Sequence, residues 1–287
     1  MRPVFPNREP SQPIEGPIES SSSEPVRDRP IVNATMNYQA WQDSQSPKPM
    51  LSHLLGVGEV RIRDITAFPH CRASTRKFRL FACACYRRVS PLLKSELADQ
   101  TVAIAERFAD GRATRSEMKA AFDLITESLL SQETKWRTAR GWERAHLIPA
   151  HAALQLALQV VAPIAEHAAY YASSNAYLAY AELANPGVAP HDVAVSRSRR
   201  EEEAAQAEIL RCIFGNLFAE EGVNGGSAVT AIAQQIYDEE EFDNLPNFAD
   251  ALEAAGCTAA AAMRHCCHGT IHFRGCWVLD QILGQEA

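Results

Sequence analysis

The sequence lacks the features that mark several large classes of protein. It contains no uninterrupted apolar run of about 18 residues or more, so no transmembrane helix is predicted. Its 35 acidic and 28 basic residues leave a net charge of only −7, which excludes a strongly cationic nucleic-acid coat. Because 46% of the residues are hydrophobic and 22% are charged, wholesale disorder is excluded and a globular core is expected.

The sequence also lacks the common catalytic motifs. It has no phosphate-binding GxxxxGK[ST] loop, no GxGxxG after a strand, no GxSxG and no HExxH. The ExxH string that ends at His146 has no second copy, which a di-iron helical bundle would need. These absences favour a protein that is not an enzyme.

The first 30 residues contain no continuous apolar segment of the kind that a secretory signal peptide requires. They are rich in proline and serine, and such segments bury too little apolar area to offset the entropy cost of ordering. Residues 1–35 are therefore predicted to form a disordered leader. Without an export signal, the eight cysteines are expected to remain reduced thiols, which predicts a cytoplasmic protein.

Apolar residues recur at helical spacing along the rest of the chain, whereas strand-like alternation is nearly absent. Phe78, Phe81 and Cys85 belong to one apolar stripe, which predicts a helix over 74–89 that stops before Pro91. Similar patterns follow as far as the C-terminal residues. The sequence therefore predicts an all-α fold, a single helical domain over 36–285.

Residues 150–184 differ in composition from the rest of this domain. They include 13 alanines and no lysine or arginine, and Pro163 is expected either to begin a new helix within them or to kink a long one. Such low charge and small side chains favour close packing between helices. We expect an Ala-rich helical insert that lies beside the remainder of the domain.

Five sequence blocks stand out at the two ends of the folded part. They are RLFACAC at 79–85, AERFADG at 105–111, IFGN at 213–216, YDEEEFDNLPNFADALEAAGC at 237–257 and RGCWVLD at 274–280. Together they resemble an uncharacterised planctomycete-type bacterial family. The chain departs from that pattern at Tyr86, where many members have a third cysteine, and at 217–219, where they have an NPFRP-like turn. The resemblance implies one all-helical domain and no particular activity.

A segment rich in histidine and cysteine near the C-terminus is the candidate metal site. Imidazole and thiolate are the ligands that zinc prefers, and a tetrahedral site needs four of them. The candidate ligands are His265, Cys267, His268, His272 and Cys276. Because no CxxC pair or known zinc-finger spacing accompanies them, buried thiols with surface histidines remain the alternative.

Two further cysteines lie in the first predicted helix. Cys83 and Cys85 cannot share one metal ion, because residues two apart on a helix point about 200° away from each other. Cys83 lies four residues from both Arg79 and Arg87, whose charges would lower the pKa of its thiol. The sequence favours a small packed residue at an arginine-lined surface over a reactive thiol at Cys83.

The stretch 65–95 carries basic residues and no acidic one. The candidate anion-binding or partner-binding face consists of Arg72, Arg76, Lys77, Arg79, Arg87 and Arg88. Such a face can bind phosphates or nucleic acid. The acidic runs at 201–203 and 238–241 make pairing within the chain, or with a partner, the simpler interpretation.

These patterns predict a non-enzymatic, cytoplasmic protein-interaction module with an unidentified protein partner. One alternative is a zinc-binding helical protein whose site lies in 265–276. Zinc is then its one expected cofactor. The other is a phosphate or nucleic-acid binder that uses the basic face over 72–94, although nucleic acid is the less favoured partner. No membrane partner is expected.

Overall fold

Helices make up the regular secondary structure of the protein. The structure, a computed structural model, describes residues 36–57, 68, 70–218, 222–268 and 272–285, apart from the side chains of residues 142, 144 and 145. The predicted leader, 1–35, lies outside the described residues. Within them there are twelve α-helices and no strand, so the all-α prediction is confirmed.

The helices are numbered in chain order. Their bounds are α1 Tyr38–Asp43, α2 Pro47–Leu55, α3 Thr75–Leu93, α4 Glu96–Ala109, α5 Arg115–Thr138, α6 Gly141–Val160, α7 Ala165–Ala184, α8 Val193–Phe214, α9 Gly226–Glu239, α10 Leu245–Ala254, α11 Ala260–His268 and α12 Trp277–Leu283. A short 3₁₀ helix, Phe242–Asn244, precedes α10. None of the helices in the described ranges is both long and apolar enough to cross a membrane.

Helix α3 lies at the centre of the larger of two apolar cores. Every residue from Phe78 to Tyr86 is buried, because α4, α6, α7 and α8 all pack against this helix. The sequence pattern predicted a single apolar stripe with an arginine-lined surface on the other side. Neighbouring helices cover α3 on several sides, so Cys83, which that prediction made a small packed residue, is only 1% exposed.

Helix α3 also runs past the proline that was expected to end it. Pro91 lies in the last turn, and the helix continues to Leu93. A proline has no N–H, so the carbonyl of Arg87, four residues earlier, loses its usual donor. The hydroxyl of Ser90 donates to that carbonyl at 3.0 Å and replaces the missing bond.

The Ala-rich segment forms the second half of α6 and the whole of α7, with Pro163 in the break between the two helices. It does not lie beside the domain as an insert. Ala168, Ala172 and Ala176 are fully buried, and α7 packs mainly against α3. Alanine side chains let two helices approach closely, so this segment is part of the main core.

The second core is formed by α9 to α12 together with the end of α8. A buried ionic cluster joins it to the first core. The guanidinium of Arg76, on α3, contacts Asp280 of α12 at 2.6 Å and Asp110, after α4, at 3.0 Å. Tyr237 of α9 donates to Asp110 at 2.8 Å, and Arg274 donates to the same carboxylate at 3.0 Å. Two cations thus balance two anions in this cluster.

The first turn of α5 is closed by a capping box. The side chain of Thr114 accepts a bond from the backbone N–H of Glu117, and the Glu117 carboxylate accepts one from the backbone N–H of Thr114. We expect Thr114→Ala to lower the free energy of unfolding by about 1 kcal/mol, because the helix loses this capping oxygen. Urea denaturation measures the effect. Thr114→Ser retains the oxygen and should stay within about 0.5 kcal/mol of the native protein, and an equal loss in both variants would contradict the assignment.

Candidate metal centre

Four side chains converge in the second core as a group of two thiols and two imidazoles. Cys212, His265, His272 and Cys276 each offer a ligand atom, and these four atoms all lie within 4.8 Å of one another. His265 Nε2 is 3.3 Å from Cys276 Sγ, and Cys212 Sγ is 3.8 Å from His272 Nδ1. A tetrahedral zinc ion with ordinary bond lengths places sulfur and nitrogen ligands about 3.6 Å apart. This group could therefore hold a metal ion.

The four residues lie on α8, on α11 and in the segment that leads into α12. Cys212 lies in the last turn of α8, and His265 lies on α11. His272 belongs to the connection between α11 and α12, whereas Cys276 is the N-cap residue of α12. The centre therefore forms only when the end of α8 packs against the C-terminal helices.

Two glycines allow the backbone to bring these parts together. Gly215 ends α8 with φ +67°, and a Cβ atom there would lie 2.8 Å from the ring of Trp277. Gly275, with φ +89°, directly precedes Cys276, and a Cβ atom there would lie 2.7 Å from Leu80. Both positions combine a positive φ with a close approach, which side chains larger than hydrogen do not tolerate. Trp277, which follows Cys276, is buried against this junction.

The electrostatic environment of the group favours the thiolate form of Cys276. Burial opposes ionisation of Cys276, but hydrogen bonds from Cys212, His265 and His272 outweigh it and hold the pKa of this thiol well below its usual value. Burial raises the pKa of Cys212, and its hydrogen bond to Cys276 raises it further. A divalent cation would favour the thiolate form of both cysteines.

One nitrogen of the group has an unsatisfied hydrogen-bonding capacity. His272 Nε2 is buried, and no residue in the described part of the chain gives it a hydrogen-bond partner. Buried polar atoms are nearly always paired, so an orphaned ring nitrogen beside two thiols indicates a missing ligand. The residues present therefore fit a metal ion.

Three of these four residues, His265, His272 and Cys276, belong to the candidate set predicted from the sequence, and two other candidates do not join them. Cys267 and His268 are exposed and lie outside the four-residue group. The buried side of α11 is set by Cys266, and successive helical residues turn by about 100°. His265 and Cys267 therefore lie on opposite flanks of that side, while His268 points away from it.

Cys212 was missed from the sequence because it has no local signal. It lies far from the other ligands in the chain, in the apolar face of an amphipathic helix, where a buried cysteine is most simply read as a small core residue. Only the packing of α8 against α12 brings it to His272. No spacing motif in the sequence could have found it.

No family model, no curated protein and no solved structure matches this chain. The likeness to the planctomycete-type family stays a prediction from the sequence blocks.

The basic residues predicted to form one face do not do so, because they are paired in several directions. Arg87 binds Glu106 at 2.7 Å, and Arg88 binds Glu202 at 2.9 Å. Arg76 belongs to the buried ionic cluster described above. Arg72 is exposed, and Lys77 is half-buried. These contacts pair basic residues with acidic residues of the same chain, which was the simpler interpretation of the charge runs.

Arg79 stabilises a helix end. Its guanidinium donates to the carbonyl oxygens of Val160 and Ala162 at 2.5 and 2.6 Å, where α6 ends. A cation is favoured at the C-terminus of a helix, because the helix dipole is negative there. Arg79 therefore links α3 to the break between α6 and α7.

Cys83 is buried to 1% exposure, and burial raises the pKa of its thiol well above the usual value, with Glu106 adding to the effect. Both conditions oppose thiolate chemistry. We expect iodoacetamide to alkylate Cys83 at least about 100-fold more slowly than the exposed Cys267, because reaction at Cys83 needs local unfolding. Mass spectrometry of peptides from the folded protein measures both rates. Comparable rates would show that Cys83 is accessible, and denatured protein, in which both sites should react alike, is the control.

Proposed function

We propose that this protein is a zinc-stabilised helical protein, with one Zn²⁺ held by Cys212, His265, His272 and Cys276. The observation that carries the proposal is the convergence of two sulfur and two nitrogen ligands within 4.8 Å. Sulfur–nitrogen ligand sets in tetrahedral arrangement are typical of zinc, while magnesium and calcium prefer oxygen. A Rieske [2Fe–2S] cluster uses the same set of two cysteines and two histidines, but it divides them between two irons, whereas these four ligand atoms all lie within 4.8 Å of one another, as a single ion requires.

The ligand count favours a structural role for the metal. A catalytic zinc ion keeps one coordination position for water or substrate, whereas four protein ligands close the site. Both cysteines are also buried, at 1% and 0% exposure, which restricts access to the ion. A closed site supports a protein that is not an enzyme at this centre.

The zinc ion would join the two apolar cores. Cys212 lies on α8, whose neighbouring residues Leu210 and Ile213 belong to the first core. Cys276 and Trp277 belong to the second. Cross-linking α8 to the C-terminal helices would hold α11 and α12 in place, a role that the small second core needs because few residues support it.

Metal analysis of the protein tests this proposal. We expect inductively coupled plasma mass spectrometry of the full-length protein, purified without chelator, to find about one zinc per chain. Cys212→Ser should reduce this to below about 0.1, since a site that loses one of four ligands binds zinc far more weakly. Cys267→Ser is the matched control and should retain the metal, because Cys267 is exposed and outside the group.

The opposite result would be equally clear. Loss of zinc in Cys267→Ser together with its retention in Cys212→Ser would favour the ligand set predicted from the sequence. Metal-free native protein that takes up no added zinc or cobalt would contradict the proposal itself.

The protein partner expected from the sequence stays a prediction. The described residues offer it one surface of interest, the second half of α5, where none of the residues 126–138 is buried. Leu130 in this stretch exposes 67% of its surface, and Leu124, just before it, exposes 50%. The proposed zinc thiolates are compatible with the predicted cytoplasmic location, because a reducing compartment protects thiolate ligands from oxidation.

A further inference from the structure

A cleft of about 940 Å³ lies where α3, the end of α4, the start of α5 and the connection between α6 and α7 meet. This volume falls within the range of about 300–1,000 Å³ that is typical of small-molecule sites. The cleft is made of described residues and shares no residue with the proposed zinc centre. Its lining combines apolar walls with positive potential at one end.

The walls of the cleft are apolar side chains from α4, from α5 and from the connection before α7. Phe108 of α4, Met118 and Phe122 of α5, and Ile164 before α7 all line it. Phe122 and Ile164 remain partly exposed, so apolar surface faces the open space. An apolar group bound here would remove that surface from water, which is favourable in proportion to the area covered.

The positive end of the cleft is formed by α7 and Arg79. The first turn of α7, from Ala165, lines the cleft, and no side chain caps it. The backbone N–H groups at the start of a helix lack partners within the helix and attract anions. A helix start alone would not identify a site, but here it shares the cleft with a buried cation.

Arg79 is that cation, and the carboxylate of Glu166 acts on its charge only from beyond ion-pair distance. It is only 4% exposed, it lines the cleft, and its hydrogen bonds go to neutral backbone carbonyls. No described carboxylate forms an ion pair with it. The carbonyls at the end of α6 favour this buried charge, and an anion bound in the cleft beside it would favour it further.

We propose that this cleft binds a small amphipathic anion, with its carboxylate or phosphate head at the start of α7 beside Arg79 and its apolar body against Phe108, Met118 and Phe122. Arg115 stands exposed at the rim, where it adds attraction for the incoming anion. Glu166, in the first turn of α7, also lines the cleft and opposes the anion by like charge. The apolar body supplies most of the affinity, and the charged head sets the orientation.

Isothermal titration calorimetry of the full chain tests the proposal with four probes. We expect octanoate and octyl phosphate to bind, and their relative affinity shows which head the cleft prefers. Octanol should bind at least about tenfold more weakly because it lacks the charge, and acetate should not bind measurably because it lacks the apolar body. Equal binding of octanol and octanoate, or no binding of either anion up to about 1 mM, would overturn the proposal.

Two variants locate the head. Arg79→Met should weaken octanoate binding about tenfold and leave octanol binding unchanged. Because Arg79 also holds the end of α6, Glu166→Gln provides a test that does not depend on losing a structural residue. It should strengthen octanoate binding about threefold, since it removes the opposing charge. Glu182→Gln, an exposed change near the other end of α7, should alter neither affinity. Octanoate affinity that does not change in Glu166→Gln would place the anion elsewhere and overturn the proposal.

Discussion

Removal of zinc by a chelator should lower the melting temperature of the protein by about 10 °C. Ligand binding to the folded state alone stabilises it by about 4 kcal/mol when the free ligand is 1,000 times its dissociation constant. For a chain of this size, each kcal/mol corresponds to roughly 2–4 °C. Differential scanning calorimetry with and without a chelator such as EDTA measures the shift. Added zinc should restore the original value.

The loss of stability should begin in the second core. In the proposed centre, zinc would join Cys212 of α8 to His265 of α11 and Cys276 of α12, so its removal would release the C-terminal helices first. Hydrogen exchange should therefore increase in 260–268 and 276–283, while the buried stretch 78–86 of α3 keeps its protection. Cys212→Ser should melt at the lower temperature without chelator and should not respond to it. A chelated native protein with unchanged melting and exchange would contradict a structural role for zinc.

Arg76→Met should lower the free energy of unfolding by about 3–5 kcal/mol, because it leaves the buried Asp280 without its cation and Asp110 with Arg274 alone. The side chains of Asp110 and Asp280 are 2% and 0% exposed, and both accept from Arg76. Burial raises the pKa of Asp280 even with Arg76 present, which shows how costly this charge is. Urea denaturation at neutral pH measures the loss.

Arg72→Met is the matched control for this substitution. It removes a charge from the same predicted basic face, but Arg72 is exposed, so the change should stay within about 0.5 kcal/mol. The double variant with Asp280→Asn should be less destabilised than the sum of the two single variants, because the two side chains interact directly. A loss below about 1 kcal/mol in Arg76→Met would show that the cluster contributes little to stability.

Much of the secondary structure could be predicted because its signals are local. Thr114 and Glu117 have the residue types and the spacing of a capping box, and they form a complete one. Pro163 was expected to mark a new helix, and α7 begins two residues later at Ala165. Pro91 was misread because the compensating bond from Ser90 to Arg87 depends on side-chain geometry, which the residue types do not reveal.

The residues of the candidate metal centre also divide into those that local sequence signals reveal and those that only packing reveals. His265, His272 and Cys276 could be proposed because they lie close together in the chain and carry the right chemistry. Cys212 could not, since its role depends on the packing of one helix end against a distant segment. The apparent basic face failed for a related reason: neighbouring helices approach α3 from different sides and bring separate acidic partners to Arg76, Arg87 and Arg88.

The sequence by itself determined that the chain is helical, that one helix begins near residue 74, and which residue types are available for metal binding. Helical periodicity, capping and turn residues act over a few positions, so they can be read along the chain. Only the tertiary structure decided that the Ala-rich helices lie in the core, that Cys83 is buried and that Cys212 meets His272. These outcomes depend on which helices pack together. Packing brings into contact residues that are far apart in the chain and that no local sequence pattern links.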